Sequence, residues 1–352
     1  MRSATSAARD EASSSALTPG RSRIASRVFI TWYPYCRRSD ALAEQLDARS
    51  YLIHYLRFKV PYLAPIKYVL QSLKTVWVLL QERPSVVLVA NPPVVAPFIV
   101  WLGSFILRYR FIIDAHSGAF QHSRWSWSLP LQRFLARRAL TSVVTNSHMA
   151  DAVRSWGGRV ELVQDLSLNL NLEGAATRHG GFHVVFVCTF SVDEPVETVA
   201  EVARRLPEVT LSFTGDPYYA PRGFAMSLPP NARLTGFVPD SEYLALLRGA
   251  DAILVLTQED HTMQRGGYEA VALEKPLITS RWSLLEQVFS RGTVHVNNSA
   301  EEIVRAIQTI RANPAHFQRE MAELRRERGR VSAAQVAALA GLCRAAQSGE
   351  GS

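Results

Sequence analysis

Cysteine is scarce. The 352-residue chain has three, Cys36, Cys188 and Cys343, far apart and in no CxxC pair. That spacing offers neither a disulfide framework nor a zinc site, and it fits a reducing, cytoplasmic setting. Nine histidines are scattered along the chain, and no metal is implied. Long apolar runs are also lacking. The longest, VVAPFIVWLGSFIL (94–107), contains Pro97 and Gly103 and is too short to span a bilayer, which needs about 20 residues. It reads as a buried core helix, and the protein as soluble or peripheral. The first 26 residues are rich in Ser, Ala and Arg but have no apolar core of a signal peptide, so they read as a disordered leader. An interleaved aromatic–basic motif is missing too, which argues against nucleic acid.

What is present is ordinary globular composition, 47% hydrophobic and 20% charged, with length enough for two cores. The net charge of +8 is uneven: residues 1–180 carry 22 Lys+Arg against 11 Asp+Glu, and the remainder 17 against 20. A basic first half fits an anionic partner such as lipid headgroups; it also fits a plain solvated surface.

Short β-branched runs alternate with segments of helical period. VFITW (28–32), SVVLVA (85–90), RFIIDA (110–115), SVVTN (142–146) and VELVQ (160–164) read as strands. The stretch 169–181, rich in Asn, Gly and small residues, reads as a break. Strands then resume at HVVFVCTF (183–190), VTLSFTG (209–215), ARLTGF (232–237), AILVLT (252–257) and PLITS (276–280). The expectation is α/β: two doubly wound Rossmann-like domains facing a central cleft. The boundaries are a leader at 1–26, a first domain at 27–170, a linker at 171–181 and a second domain at 182–312. A last charged helix, within 313–352, is expected to pack back on the first domain and to end in disorder.

In IKYVLQSLKTVWVLLQER, Ile66, Val69, Leu70, Leu73, Val76, Trp77 and Leu80 share one helical face. With Lys67, Lys74, Arg57, Lys59, Arg133, Arg137 and Arg138, the segment reads as an interfacial helix at an anionic membrane. The alternative is an ordinary amphipathic helix lying on a sheet.

The chemistry concentrates after AILVLT. Gly266-Gly267 opens a helix, where unpaired N–H groups and the positive dipole end favour a phosphate and bare glycine lets it approach. Arg265 adds a fork of donors, and Glu269 can accept two hydroxyl hydrogen bonds from a vicinal diol. A simple loop and a first-turn helix stabiliser fit the same residues. In the first half, Asp114 and His116 follow the strand FIID and are candidates for acid–base work at an acceptor hydroxyl. His122, Trp125 and Trp127 lie just beyond, as acceptor-side candidates.

GGYEAVALEKPLITS resembles the sugar-nucleotide motif of GT-B glycosyltransferases, roughly G-x-x-x-x-E-A-x-A-x-G-x-P-V. TGDP (214–217) and LTGFVPDSEYLALLRGADAILVLT resemble further segments of that second domain, and FVCTFSVDEP its opening strand and loop. NPP (91–93) and FIIDAHSG (111–118) are similar to the lipid-linked chitobiose mannosyltransferases and their bacterial relatives. The likeness spans about residues 27–310 and marks a family-4-like group 1 glycosyltransferase.

The resemblance implies a nucleoside diphosphate-sugar, UDP- or GDP-linked, as co-substrate, with no other cofactor and no metal. It places Glu269 on the ribose hydroxyls, and Gly266 and Gly267 on the diphosphate. Phe237 and Val238 fall by the base. Gly215, Phe190 and Thr189 line the donor cleft, with Thr257, His261, Met263 and Gln264 beside them. The acceptor is expected to be a lipid-linked or cell-surface polysaccharide precursor, at the inner face of the cytoplasmic membrane.

Three features depart from the family pattern. His261 stands eight residues before Glu269, where many retaining members have a sugar-contacting Glu. Glu274 replaces the motif glycine. CTFSVDEP lacks the usual basic residue, which leaves Arg265 to supply that charge. A nucleotide-sugar epimerase and a catalytically degenerate partner subunit are therefore the alternatives.

Overall fold

The computed structural model describes residues 26–55, 63–121, 123–164, 170, 176 and 180–348. All of the expected leader but Ser26, most of the expected linker, Arg57, Lys59 and His122 lie outside the described residues.

The first unit holds strands β1 (Arg27–Thr31), β2 (Arg49–Leu52), β3 (Val86–Asn91), β4 (Arg110–Ala115), β5 (Thr141–Val144) and β6 (Val160–Leu162). Its helices are α1 (Arg37–Gln45), α2 (Ala64–Glu82), α3 (Val95–Leu107), α4 (Gly118–Gln121), α5 (Leu129–Ala136) and α6 (Ser147–Ser155). The strands pair in parallel, in the order β2-β1-β3-β4-β5-β6.

The second unit holds β7 (Phe182–Phe186), β8 (Val209–Thr214), β9 (Ala232–Gly236), β10 (Ala252–Val255), β11 (Leu277–Ser280) and β12 (Thr293–Val296). Its helices are α7 (Val196–Arg205), α8 (Phe224–Ser227), α9 (Asp240–Gly249), α10 (Arg265–Ala272), α11 (Ser283–Val288) and α12 (Ala300–Ala312), followed by the long α13 (Pro314–Ser348). This sheet is also parallel, ordered β12-β11-β10-β7-β8-β9.

Both sheets are doubly wound, as expected. The central strands are apolar on both faces because helices cover both; β3 is buried along its whole length. Strand order reverses between β1 and β3, and again between β7 and β10. At such points the loops part and leave a crevice at the carboxyl ends. α13 ties the units together. Phe317, Met321 and Leu324 are buried in the cores of the second unit, whereas Leu339 and Cys343 are buried with Phe29, Leu42 and Leu46 of the first.

Of the two readings of α2, the helix with its apolar face on the sheet does not hold, and the reading of α3 as a core helix needs correction. In α2 the residues that face the sheet are Gln71, Thr75, Val78, Leu79 and Glu82. The apolar stripe from Ile66 to Leu80 points outward. The cause is hydrogen bonding on the polar side. Gln71 Nε2 donates to the Ile53 carbonyl at 2.7 Å, Trp32 Nε1 donates to Thr75 Oγ1 at 3.0 Å, and Glu82 accepts from Arg49 at 2.6 Å and from Tyr51. A buried polar group without a partner costs about 1–3 kcal/mol, so these bonds fix the helix's rotation. α3 is likewise not a core helix throughout. Ala96, Pro97 and Val100 are buried, but Leu102, Phe105 and Ile106 are exposed.

Candidate active site

The carboxyl edges of the two sheets face each other. Tyr35, beyond β1, donates through Oη to Asp240 Oδ2, beyond β9, at 3.3 Å. Asn146, beyond β5, donates through Nδ2 to the carbonyl of His261, beyond β10, at 3.2 Å. The His148 and His261 rings stack in parallel, with centroids 3.9 Å apart.

α10 starts at the β7/β10 switch point. A Cβ on Gly266 would lie 2.9 Å from Val187 and Val255, and one on Gly267 would lie 2.5 Å from the Phe289 ring. The bare Cα atoms therefore face inward. Glycine is required here so that the helix can seat on β7 and β10, which corrects the idea that bareness serves ligand access. Gly267→Ala should cost about 1–3 kcal/mol by overpacking. Urea unfolding measures the loss, and Phe289→Leu in the same chain should recover part of it.

Seating α10 this way brings Glu269 into a buried position, 2% exposed. Tyr243 of α9 donates its hydroxyl to Oε2, and Arg265 Nε lies 2.9 Å from Oε1. Arg265 is thus engaged by Glu269 rather than standing apart as a diphosphate ligand. Its side chain is 40% exposed, however, so it is the member of the pair that can turn. Gln264 donates to the Leu256 carbonyl at 2.7 Å, and Met263 packs against the core under α10.

Other candidates prove structural. Thr257 is fully buried, and its hydroxyl donates to Asp193 Oδ2 at 2.7 Å. It pins the loop after β7 instead of facing a donor. In that loop Glu194 accepts from the backbone N–H groups of Thr189, at 2.8 Å, and Ser191, at 2.9 Å. Burial raises the Glu194 carboxyl above its ordinary pKa, against the pull of those bonds. The Thr189 N–H is therefore already used. Gly215 has a φ of +92°, and a Cβ there would lie 2.6 Å from the Cys188 carbonyl. It allows the loops after β7 and β8 to touch, with Phe190 beside them. Phe237 projects almost free, and Val238 is half-buried. His261 is held by Asn146 and His148 of the first unit, so here it is an inter-unit contact rather than a sugar ligand.

In the first unit Asp114 has no exposed surface. Arg38 approaches its Oδ1 with Nε at 3.2 Å and Nη2 at 3.1 Å, and His116 Nε2 lies 3.0 Å from its Oδ2. Burial alone would raise the Asp114 carboxyl, but Arg38 and His116 outweigh it and hold the pKa at about 2. A carboxylate so enclosed cannot touch an acceptor. That corrects its assignment as a direct base and makes it the group that orients His116. His116 is partly exposed, and its backbone N–H donates to the Asn91 carbonyl at 2.9 Å. Trp127 is exposed, and the Trp125 side chain lies outside the described residues. Among the described residues no group of three His, Cys, Asp or Glu is placed to hold a metal.

Sequence reasoning missed Arg38, Tyr243, Glu194, Asn146 and His148. Arg38 had a signal, the basic pair in WYPYCRR just beyond the first strand. Glu194 acts within its own loop, and Tyr243, Asn146 and His148 matter only through contacts between distant segments.

Comparison with known proteins agrees with this arrangement. Residues 11–164 match the glycosyl transferase 4-like domain, and residues 196–338 match the glycosyl transferase-like family. The chain belongs to the group 1 glycosyltransferases of GT-B fold. No curated protein sequence matches it. Among solved structures it is similar to Thermosynechococcus elongatus sucrose-phosphate synthase, at 16% identity and TM-score 0.66 over 90% of this chain and 88% of that one. It is also similar to Anabaena HepE in complex with UDP-glucose, at 14% identity and TM-score 0.65 over 90% and 99%. A Listeria monocytogenes UDP-N-acetylglucosamine 2-epimerase is similar at 13% identity and TM-score 0.55 over 84% and 91%.

Proposed function

We propose that the chain transfers a hexosyl group from a UDP- or GDP-sugar, held on the second unit, to a hydroxyl of a lipid-linked or saccharide acceptor presented from the first. The product class would be a cell-envelope polysaccharide precursor, made at the inner face of the cytoplasmic membrane. The observation that carries this reading is the buried Glu269 carboxylate at the β7/β10 switch point, braced by Tyr243 and by a partly exposed arginine. The complex of HepE with UDP-glucose supports the choice of donor class.

On this reading the ribose hydroxyls donate to Glu269, and Arg265 turns from Glu269 towards the diphosphate. The bond from the anomeric carbon to the diphosphate breaks, a bond to the acceptor oxygen forms, and His116 takes the acceptor proton. The leaving diphosphate is stabilised by Arg265 and the α10 N-terminus. No metal is required by these groups.

A thermal-shift panel of UDP-, GDP- and dTDP-sugars tests the donor. One sugar at about 100 times its Kd should stabilise the fold by ~2.7 kcal/mol, a rise of several degrees. No rise with any of them would refute the reading.

A second reading has a specific basis. Glu194 occupies the loop N–H groups after β7, and His261 serves as an inter-unit contact. Both fit a partner subunit that binds a nucleotide without transferring sugar.

A further inference from the structure

We propose that the outward face of α2 and α3 docks on an anionic lipid bilayer. Ile66, Leu73, Trp77 and Leu80 of α2 and Phe105 and Ile106 of α3 are exposed, Leu73 by 64% and Ile106 by 81%. The helices are neighbours, and at Gly103 they approach so closely that a Cβ would lie 3.3 Å from Leu79. The exposed apolar residues thus sit on two helices packed against each other. Single exposed apolar residues are ordinary in soluble proteins, but apolar stripes on two neighbouring helices mark an interface. The surface is not a slip of helix rotation, because Gln71, Thr75 and Glu82 hold α2 from behind.

Charge selects the occupant. Lys67 and Lys74 lie on α2, and Arg83 and Arg108 follow the two helices as exposed caps. Lys74 Nζ sits 3.5 Å above the Trp77 ring. The one acid on either helix is Glu82, buried and paired with Arg49. A second copy docked about a two-fold axis would bring this patch against itself, cation facing cation. A bilayer offers anionic headgroups to the rim and acyl chains to the stripe. Tryptophan with a neighbouring lysine suits that boundary. Among the described residues no helix is long and apolar enough to cross the membrane, so this is contact with one leaflet.

Co-sedimentation of the full chain with vesicles tests this, using phosphatidylcholine alone and phosphatidylcholine mixed with phosphatidylglycerol. The chain should pellet with the mixed vesicles, less with the neutral ones, and release as salt rises. Leu73→Glu with Ile106→Glu should lower partitioning by at least about tenfold. Both residues are exposed, so the melting temperature and any nucleotide-sugar thermal shift should stay as in the parent chain. Lys74→Glu should weaken binding to mixed vesicles and spare the remainder on neutral ones. Three results would overturn the proposal: no pelleting with mixed vesicles, pelleting unchanged in the double variant, or a dimer in light scattering that the double variant dissociates. The last would assign the face to a second copy. The lipid result does not depend on the donor reading, so either can fail alone.

Discussion

Glu269→Ala is expected to weaken nucleotide-sugar binding by about 100-fold or more, since each hydrogen bond to a charged group contributes about 1.5–3 kcal/mol and two ribose hydroxyls are proposed to donate here. The site is built for that loss to be local. The carboxylate is 2% exposed, while its ion-pair partner Arg265 keeps 40% of its side chain in solvent. Alanine removes the acceptor, and the freed guanidinium can hydrate, so stability should change far less than affinity. Tyr243→Phe is the informative companion. It removes the hydroxyl that holds Oε2 but leaves the carboxylate, so affinity should fall by about tenfold or less. Calorimetric titration of both variants separates the two roles. Equal losses would mean that Tyr243 and Glu269 serve only to join α9 to α10.

Asp114→Asn should destabilise the fold by about 3–5 kcal/mol, because it leaves the Arg38 guanidinium, 9% exposed, without its counter-charge. The same pair predicts the acid limb of stability. The folded-state pKa is depressed from 3.8 to about 2, so the contribution is complete above about pH 4 and is lost as pH falls towards 2. That shift corresponds to ~2 kcal/mol for the parent chain. Urea midpoints from pH 5 to the acid limit should therefore slope in the parent and flatten in Asp114→Asn. His116→Ala removes one of the two groups that lower the Asp114 carboxyl and should raise the midpoint of the limb without abolishing it. If Asp114→Asn unfolds at the same urea concentration as the parent at pH 7, the buried ion pair does not have the structural weight assigned to it.

The architecture was largely readable because its central strands are buried on both faces and appear as unbroken apolar runs. β2 and β12 were missed for the opposite reason. Both are short edge strands of mixed exposure, RSYL and TVHV, with no apolar run to mark them. The face of α2 stayed open between an interfacial helix and one lying on the sheet, because apolar periodicity alone does not say which side is covered. Here the polar stripe has the partners, and nothing local in the sequence reveals Ile53, Trp32 and Arg49 waiting across 18 to 43 residues. At the candidate site, the residue types after AILVLT pointed to the right place, since α10 does begin at the switch point. Their division of labour was not legible. Whether Arg265 faces a ligand or Glu269, and whether Gly267 faces solvent or Phe289, depends on how α9, α10 and α11 close on one another.

Sugar transfer is open to one direct assay. The chain is incubated with each nucleotide-sugar, radiolabelled in the sugar, together with a membrane lipid extract as acceptor, and the label is followed by solvent partition and chromatography. With one UDP- or GDP-sugar the label should leave the nucleotide and enter the organic phase, in the parent chain and not in Glu269→Ala. Label that stays on the nucleotide with every donor, or that appears only in an epimeric nucleotide-sugar formed without acceptor, would contradict sugar transfer.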